Sequence, residues 1–284
     1  MQIGIVFANA SVYARPDMAA ALAESAEAHG IESLWTVEHV VIPKDYQSQY
    51  PYNASGKAPG AEVSDIPDPL IWLAYVAART TRIKLATGIL ILPQRQPLVL
   101  AKEVATLDQL SSGRAMIGIG SGWLEEEFDA LGISFEDRGD RTDDYIGALR
   151  SIWRDGAIGA SHHSRFADFT DCISLPLPPQ GQVPIVIGGH TKRAARRAGE
   201  LGDGFFPGKG SVEELTELVG VVRTSAVRAG RNPDAIELTT GWRRNKEELQ
   251  QLADLGFTRY TVPPPAFSLD KLPEAMARLA ETVA

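Results

Sequence analysis

Three consecutive stretches decide the fold: RIKLATGILILP (82–93), PLVLAKEVATLDQL (97–110) and SGRAMIGIGSGW (112–123). The first is a short apolar run typical of a fully buried parallel strand, and the Gly88 inside it indicates a bulge. The second begins with Pro97, which suits the first turn of a helix, and repeats leucine and valine at helical spacing. The third is a strand that runs into a glycine-rich loop with little side chain to obstruct a ligand. These stretches predict two parallel strands joined by a helix.

The same alternation of strand and helix extends over the whole chain. Strand-like runs occur at residues 2–7, 31–37, 83–92, 115–119, 183–187, 204–207, 237–240 and 259–262. A helical pattern follows each run, and no linker-like segment separates them. Eight such pairs predict an α/β fold, a (β/α)8 TIM barrel that forms a single domain over residues 1–284. The longer segments after strands 2 and 4 are predicted to be insertions.

The composition narrows the classes of partner and site. The net charge of −8 argues against nucleic acid, because binding to a phosphate backbone needs an excess of cations. The single cysteine, Cys172, excludes an intrachain disulfide and a multi-cysteine metal site, and we expect no metal. No apolar run approaches the roughly 20 residues that span a bilayer, and the first residues lack a signal-peptide pattern. We expect a cytoplasmic homodimer that acts on a small molecule, without a nucleic-acid or membrane partner.

Unusual residues follow several of the predicted strands, at the end of the barrel where active sites lie. Glu38 and His39 follow strand 2, and His39 is either a proton or hydrogen-bond donor to a ligand or a loop histidine satisfied by a neighbour. Residues 188–191 (GGHT) open a helix with two basic residues in its first turn, which predicts a phosphate site. Trp123 ends the glycine-rich loop, where it either walls a flat ring or packs in the core.

The segment from Pro43 to Pro67 is too long for an ordinary strand–helix connection. We expect it to be a mobile lid, because long loops at a barrel mouth commonly carry function. The side chains that it offers to a substrate pocket are Tyr46, Tyr50 and Tyr52. The alternative is a surface loop without a role in binding.

Two polar clusters have simpler interpretations. The adjacent His162 and His163 lie in an irregular stretch, residues 155–182, for which short extended pieces are predicted at 165–169 and 173–177. Adjacent side chains seldom converge on one metal ion, so both histidines are expected to be solvated. The three glutamates at 125–127 are expected to begin a helix, because the helix dipole favours acidic residues there.

Seven short motifs, taken together, are more specific than any one of them. They are SLWTVEH (33–39), TRIKLATGILILP (81–93), LAKEVATLDQLSSGR (100–114), GIGSGWLEEEF (118–128), RGDRTDDY (138–145), PIVIGGHT (184–191) and LGDGFFP (201–207). This set resembles the luciferase-like monooxygenase superfamily, and within it the F420-dependent oxidoreductase branch. The match runs in order to about residue 210, and the remainder matches mainly in its barrel pattern. The resemblance implies an enzyme that transfers a hydride between the deazaflavin coenzyme F420 and a small organic substrate.

The resemblance also implies roles for individual residues. It implies cofactor contacts from Thr87, Gly88, Ile89, Gly120, Ser121, Gly188, Gly189, His190 and Thr191. A cis peptide between Gly88 and Ile89 is implied behind the flavin-shaped ring, and residues 188–191 are implied to hold the phosphate. His39 is implied to face the reactive centre of the ring. Glu38 is a second catalytic candidate that could orient the His39 imidazole, although neighbours on an extended backbone point opposite ways.

Three departures from the family pattern bear on the activity. Glu38 stands where the family usually has aspartate. Trp123 stands where the sugar-phosphate dehydrogenases of the family carry a catalytic acid, which argues against that activity. Ser121 stands where flavin-using luciferases often carry arginine, which favours F420 over FMN. The alternatives are an FMN-dependent monooxygenase, a catalytically silent flavin- or deazaflavin-binding protein, and a phosphate-sugar isomerase.

Overall fold

The computed structural model describes residues 1–60, 62–243 and 245–281. Eight parallel strands form a closed barrel in which neighbours in the chain are also neighbours in space. They are β1 (Gln2–Val6), β2 (Ser33–Thr36), β3 (Lys84–Ile91), β4 (Ala115–Gly120), β5 (Ile185–Gly188), β6 (Gly204–Phe206), β7 (Glu237–Gly241) and β8 (Phe257–Val262). β8 pairs in parallel with β1 and closes the ring. The prediction of a (β/α)8 TIM barrel is therefore confirmed.

Helices connect the strands along the chain. In the described ranges they are α1 (Pro16–Ala28), α2 (Pro69–Ala77), α3 (Pro97–Leu110), α4 (Glu125–Ala130), α5 (Arg138–Asp155), α6 (Lys192–Leu201), α7 (Val212–Arg228), α8 (Lys246–Leu255) and α9 (Leu272–Glu281). Local sequence explains several starts, because Asp68 caps α2 and Ser211 forms a capping box with Glu214 at α7. None of the helices in this described part is long and apolar enough to cross a membrane.

Two insertions interrupt the alternation, after β2 and after β4, as predicted. The first, residues 43–67, contains neither helix nor strand among its described residues. The second contains α4, α5 and an antiparallel hairpin of Ala160–His163 with Asp168–Cys172. The prediction of short extended pieces is confirmed, but their bounds are displaced. The piece at 165–169 overlaps the second strand only at residues 168 and 169, because the chain reverses between residues 164 and 167, and the piece at 173–177 follows the hairpin.

The expectation that both histidines of this hairpin are solvated is wrong for one of them. The side chain of His162 is mostly buried, with Nε2 at 2.6 Å from Oδ1 of Asp144 and the ring stacked on Phe169. His163 is exposed and pairs with Asp168. Adjacent residues on a strand point to opposite faces, so only one of the pair can pack against α5. Among the residues that the structure describes, no group of three or more His, Cys, Asp or Glu side chains could hold a metal ion.

A small apolar cluster fills the inside of the barrel, separate from the large core between strands and helices. It consists of Trp35, Ala86, Met116, Val186 and Phe206. The Trp35 indole is fully buried and meets the Phe206 ring edge to face, with centroids 5.4 Å apart. This ring is the largest group inside the barrel, and the neighbouring strands adapt to it.

Glycines on β1 and β3 make room for the indole, and a glycine on β4 makes room for the backbone of β3. A Cβ atom at Gly4 would lie 2.6 Å from Nε1 of Trp35, and one at Gly88 would lie 3.0 Å from its Cε3. At Gly118 the backbone sets the limit, because a Cβ atom there would lie 2.0 Å from the carbonyl oxygen of Thr87. Protein interiors are close-packed, so contacts this short exclude a side chain unless the barrel wall moves.

β3 carries the bulge that Gly88 predicts. Its pairing with β4 shifts register at this point, and the peptide bond between Gly88 and Ile89 is cis, as the resemblance implies. The Ile89 side chain lies against two glycines at the strand ends. A Cβ atom at Gly120 would lie 2.7 Å from Cδ1 of Ile89, and one at Gly188 would lie 2.5 Å from its Cγ2. The space beside these glycines, expected to be open to a ligand, is therefore occupied by Ile89.

A buried ion-pair cluster lies at the amino-terminal end of the barrel. Arg259 is fully buried and donates to both carboxylate oxygens of Glu32, each at 2.7 Å, and to Glu237 at 3.1 Å. Burial alone would raise the pKa of Glu32, but the bonds and charge of Arg259 outweigh it and lower this pKa to about 2. A cavity of about 510 Å³ opens at this end. The carboxylates that line it are already paired, Glu32 with Arg259 and Glu27 with three backbone amides.

Gly118→Ala is expected to lower the free energy of unfolding by about 1–3 kcal/mol, because the new methyl group must displace a strand of the barrel wall. Gly220→Ala is the matched control: it lies on an exposed part of α7 with no atom within 4 Å of the added Cβ. There the substitution should raise stability by roughly 0.5–1 kcal/mol through helix propensity. Urea denaturation measures both values. A Gly118→Ala protein as stable as the wild type would contradict the packing described above.

Candidate active site

Five ring side chains form a continuous row across the carboxyl ends of the strands. In spatial order the row consists of His39, Trp123, Tyr50, Tyr52 and His190, and we call these residues the aromatic row. The centroids of successive rings lie 5.8, 5.1, 5.4 and 5.1 Å apart, and each pair meets edge to face. Such contacts are favourable beyond the apolar area that they bury. The row brings together predicted site residues that follow β2, β4 and β5.

His39 is held at one end of the row by a buried carboxylate. Its Nδ1 lies 2.9 Å from Oε2 of Glu127, whose side chain is fully buried. The other oxygen of Glu127 accepts hydrogen bonds from the backbone amides of Val40 and Val41, at 2.7 and 3.2 Å. The prediction that the glutamates at 125–127 begin a helix is confirmed, since α4 starts there. The inward orientation of the third of these glutamates, Glu127, was not predicted from the sequence.

Glu38 does not contact the His39 imidazole. Its buried carboxylate pairs with the guanidinium of Arg95 and accepts a hydrogen bond from the backbone amide of Ile91. Burial raises the pKa of Glu38, and the charge of Arg95 opposes this shift. Arg95 also donates to Asp68, at 2.8 Å, so Glu38 ties the end of β2 to the end of β3 and the start of α2. The catalytic role of Glu38 stays a prediction, and its contacts favour a supporting one.

The residues expected to line a substrate pocket are in mutual contact. Trp123 lies between the rings of Tyr46 and Tyr50, at 5.5 and 5.1 Å. Tyr46 is buried, and its hydroxyl accepts a hydrogen bond from the backbone amide of Ala58, so it holds the first insertion together. Burial, with a smaller effect from Tyr50, raises the pKa of Tyr52 to about 12. The phenol groups in the row therefore remain protonated hydrogen-bond donors at neutral pH.

The first insertion, residues 43–67, is attached on both sides of the barrel mouth. On the β4 side, one carboxylate oxygen of Glu126 accepts hydrogen bonds from the backbone amides of residues 47 and 48. On the β6 side, the ammonium group of Lys209 donates to the backbone carbonyl of Pro51. The insertion therefore bridges the segment after β4, which carries Trp123, and the loop after β6. For the insertion to act as the predicted lid, these hydrogen bonds must break.

The GGHT sequence forms the turn between β5 and α6. Gly189 has a φ of +119°, which favours glycine, and the hydroxyl of Thr191 caps α6 by accepting from the amide of Ala194 at 3.1 Å. Among the described residues, the buried Nδ1 of His190 has no hydrogen-bond partner. Burial, and then the charge of Lys209, lower the pKa of His190. Buried polar atoms rarely lack partners, so the hydrogen-bonding capacity of this nitrogen is unused by the described residues.

Some features that predicted ligand binding are engaged with protein atoms. The first-turn cations of α6, which indicated an anion, pair with carboxylates: Arg193 with Asp140 and, more loosely, Lys192 with Glu217 at 3.8 Å. The hydroxyl of Thr87 donates to the carbonyl of Gly118 at 2.7 Å, within the barrel wall. These side chains therefore contribute to the scaffold of the mouth. Ser121 follows β4 and is partly exposed there.

Two exposed aromatic residues at strand ends were not predicted as site residues. Phe7 directly follows β1 with a φ of +60°, and Trp242 directly follows β7. Each is about half exposed. In the sequence Phe7 continues the apolar run of β1, and this run predicts a buried strand residue at position 7. Both rings extend the apolar surface of the mouth beyond the aromatic row.

The luciferase-like monooxygenase family model matches residues 1–280. The chain therefore belongs to the luciferase-like family, as its motifs imply. The barrel is similar to a solved structure, that of the monooxygenase RslO1 from Streptomyces bottropensis. The two chains superpose with a TM-score of 0.74 at 23% identity, covering 99% of this chain and 98% of the other. At this identity the likeness supports the fold alone.

Relatives of this chain differ in the cofactor that they use. An uncharacterized protein from Mycobacterium tuberculosis is 29% identical over 287 residues, covering 100% of this chain and 99% of the relative. An F420-dependent glucose-6-phosphate dehydrogenase from Nocardia farcinica is 32% identical over 227 residues, 76% of this chain and 61% of that protein. An FMNH(2)-dependent dimethylsulfone monooxygenase from Pseudomonas putida is 34% identical over 157 residues, 54% and 42% of the two chains. The family membership thus supports an oxidoreductase with either cofactor.

Tyr50→Ala is expected to loosen the first insertion, because the Tyr50 ring joins Trp123 to Tyr52. Each lost edge contact is worth about 0.5–1.5 kcal/mol, so amide exchange in residues 46–58 should accelerate about tenfold or more. Hydrogen exchange measured by mass spectrometry tests this, with Tyr75→Ala as the control because Tyr75 lies half exposed on α2. Unchanged exchange in residues 46–58 would show that the aromatic row does not hold the insertion.

Proposed function

We propose that this chain is an oxidoreductase that transfers a hydride between the deazaflavin coenzyme F420 and a small organic substrate. The observation that carries the proposal is the His39 imidazole at the strand ends, bonded to buried Glu127 and packed on Trp123. A hydride transfer to or from a carbon bonded to oxygen or nitrogen also requires the movement of one proton. Imidazole is the side chain best suited to that task near neutral pH.

The turn at residues 188–191 fits the phosphate of such a cofactor. The start of α6 offers backbone amides and the positive end of the helix dipole. The unpartnered Nδ1 of His190 and the nearby ammonium group of Lys209 add donors on the same side of the mouth. We propose that Gly188, Gly189, His190 and Thr191 hold the phosphate.

The bulge of β3 supports the placement of a flat ring. In our proposal Thr87, Gly88 and Ile89 form the wall behind the ring, with Gly120 and Ser121 beside it. The coenzyme supplies two-electron hydride chemistry, which no side chain of this protein can perform. The contributions of the protein are orientation, exclusion of water by the aromatic row, and transfer of a proton at His39.

The remaining site residues have supporting roles in this proposal. Glu38 positions the backbone after β2 through Arg95, without touching the reacting atoms. Trp123, Tyr50 and the more buried Tyr46 define the substrate side of the mouth, and residues 43–67 act as its lid. We further propose a cytoplasmic homodimer with a small-molecule substrate and no nucleic-acid or membrane partner, in keeping with the acidic net charge.

An FMN-dependent monooxygenase is the second candidate, because a relative with 34% identity is FMNH(2)-dependent. Two observations favour F420. The relative named for F420 aligns over a larger share of this chain, 76% against 54%. Ser121 also stands where flavin-using luciferases often carry an arginine. A cofactor-binding protein without catalytic activity is the third candidate.

Fluorescence titration with purified F420 and with FMN separates these candidates. We expect saturable binding of F420 at micromolar concentration and much weaker binding of FMN. Binding of FMN without binding of F420 would replace the proposal with the flavin-dependent monooxygenase. Tight binding of F420 without turnover of any secondary alcohol, enone or imine in a panel would indicate the silent protein.

His39→Ala should lower turnover at saturating F420 by about 10²–10⁴, the usual contribution of a proton-transferring side chain, with little effect on F420 affinity. His163→Ala is the control, because His163 is exposed on the hairpin outside the barrel mouth. Weaker F420 binding by His39→Ala with turnover preserved at saturation would instead make His39 a cofactor ligand.

A further inference from the structure

We infer that Glu127 is a positioning residue that fixes the tautomer of His39, with the ring proton on Nδ1 and the lone pair on Nε2. The contact that carries this inference is the 2.9 Å separation between Nδ1 and Oε2 of Glu127. It deepens the proposed function, because it assigns which nitrogen of His39 exchanges a proton with the substrate. The tautomer itself depends only on the protein.

The hydrogen-bond partners of the Glu127 carboxylate act as donors. Oε1 receives the backbone N–H groups of Val40 and Val41, which have no other protonation state. Oε2 faces Nδ1 of His39, and two acceptors at 2.9 Å would repel each other. Nδ1 therefore carries a proton and donates it to Oε2, which leaves the neutral imidazole with its lone pair on Nε2.

Burial strengthens the hydrogen bond on which this tautomer assignment depends. The Glu127 side chain is fully buried and that of His39 is only 14% exposed, so water competes little for the bond between them. The Trp123 ring meets the imidazole edge to face and limits its rotation. Within the described part of the chain, no hydrogen bond engages Nε2 of His39. This nitrogen is thus left for a ligand in the mouth.

The consequence for the proposed reaction is a defined proton path. The coenzyme would supply the hydride acceptor, and His39 would take the accompanying proton. The O–H or N–H bond of the oxygen or nitrogen attached to the reacting carbon would break, and its proton would form an N–H bond at Nε2. His39 then becomes an imidazolium that faces the Glu127 carboxylate. In the opposite direction the same nitrogen returns the proton. Glu127 touches no reacting atom in either case.

Glu127→Gln should reverse the tautomer. The two backbone amides at Oε1 can accept no bond, so the amide oxygen of glutamine must take that position. Its NH2 group then faces His39 and donates to Nδ1, which moves the ring proton to Nε2. Because glutamine has the same shape and keeps both backbone bonds, the variant should fold. Glu126→Gln is the matched control, since Glu126 bonds the backbone of residues 47 and 48 and not His39.

Long-range ¹⁵N–¹H NMR of the imidazole groups, recorded without cofactor, tests the assignment. The His39 signals are identified by their loss in His39→Ala. We expect a protonated Nδ1 and an unprotonated Nε2 in the wild type and in Glu126→Gln, and the reverse in Glu127→Gln. A wild-type His39 protonated on Nε2, or a tautomer unchanged in Glu127→Gln, would overturn the inference. The wild-type spectrum decides the question even if the variant does not fold.

Kinetics with F420 provides a second readout. Glu127→Gln should lower turnover at saturating cofactor by about 10²–10⁴, the effect of a wrong imidazole tautomer, with F420 affinity unchanged. Normal turnover together with a reversed tautomer would overturn the positioning role. Failure of F420 to bind the wild type would end the proposed function and leave the tautomer assignment standing, so the two failures are distinguishable.

Discussion

The fully buried indole of Trp35 is the constraint on which the barrel depends. The interior of an eight-stranded barrel is just wide enough for side chains to fill it, so one large ring leaves no space for side chains at the nearest positions of the adjacent strands. Gly4 on β1 and Gly88 on β3 meet this requirement, and Gly118 on β4 lies against the carbonyl oxygen of Thr87. Gly118, which belongs to the glycine-rich loop in the sequence, therefore has a packing reason in the barrel wall.

The same packing shapes the floor of the mouth. β3 bulges at Gly88, above the indole, and Ile89 then lies against glycines at the ends of β4 and β5. Above this floor, consecutive glutamates of α4 hold the loop after β2: Glu127 bonds His39 and the backbone that follows it, and Glu126 bonds residues 47 and 48. One short helix thus couples His39 to the first insertion.

The barrel and the gathering of the candidate residues at the strand ends could be predicted from the sequence, because strand and helix patterns are local and the fold brings the strand ends together. The partners of the site residues could not, since they depend on contacts between distant segments. Glu38 bonds Arg95, 57 residues away, and Glu127 bonds His39 across 88 residues. The sequence does contain one signal for Glu127. It lies three residues, about one helical turn, after the buried Leu124, and this spacing places it on the inner face of α4.

A crystal structure of the protein with bound F420 would show directly whether the strand ends hold the coenzyme. We expect the phosphate within hydrogen-bonding distance of residues 188–191, including the Nδ1 of His190 that has no partner among the described residues. We also expect the ring against the Gly88–Ile89 peptide and Nε2 of His39 toward the substrate side. Density for the coenzyme in the 510 Å³ cavity at the opposite end of the barrel, or a phosphate remote from residues 188–191, would contradict this placement.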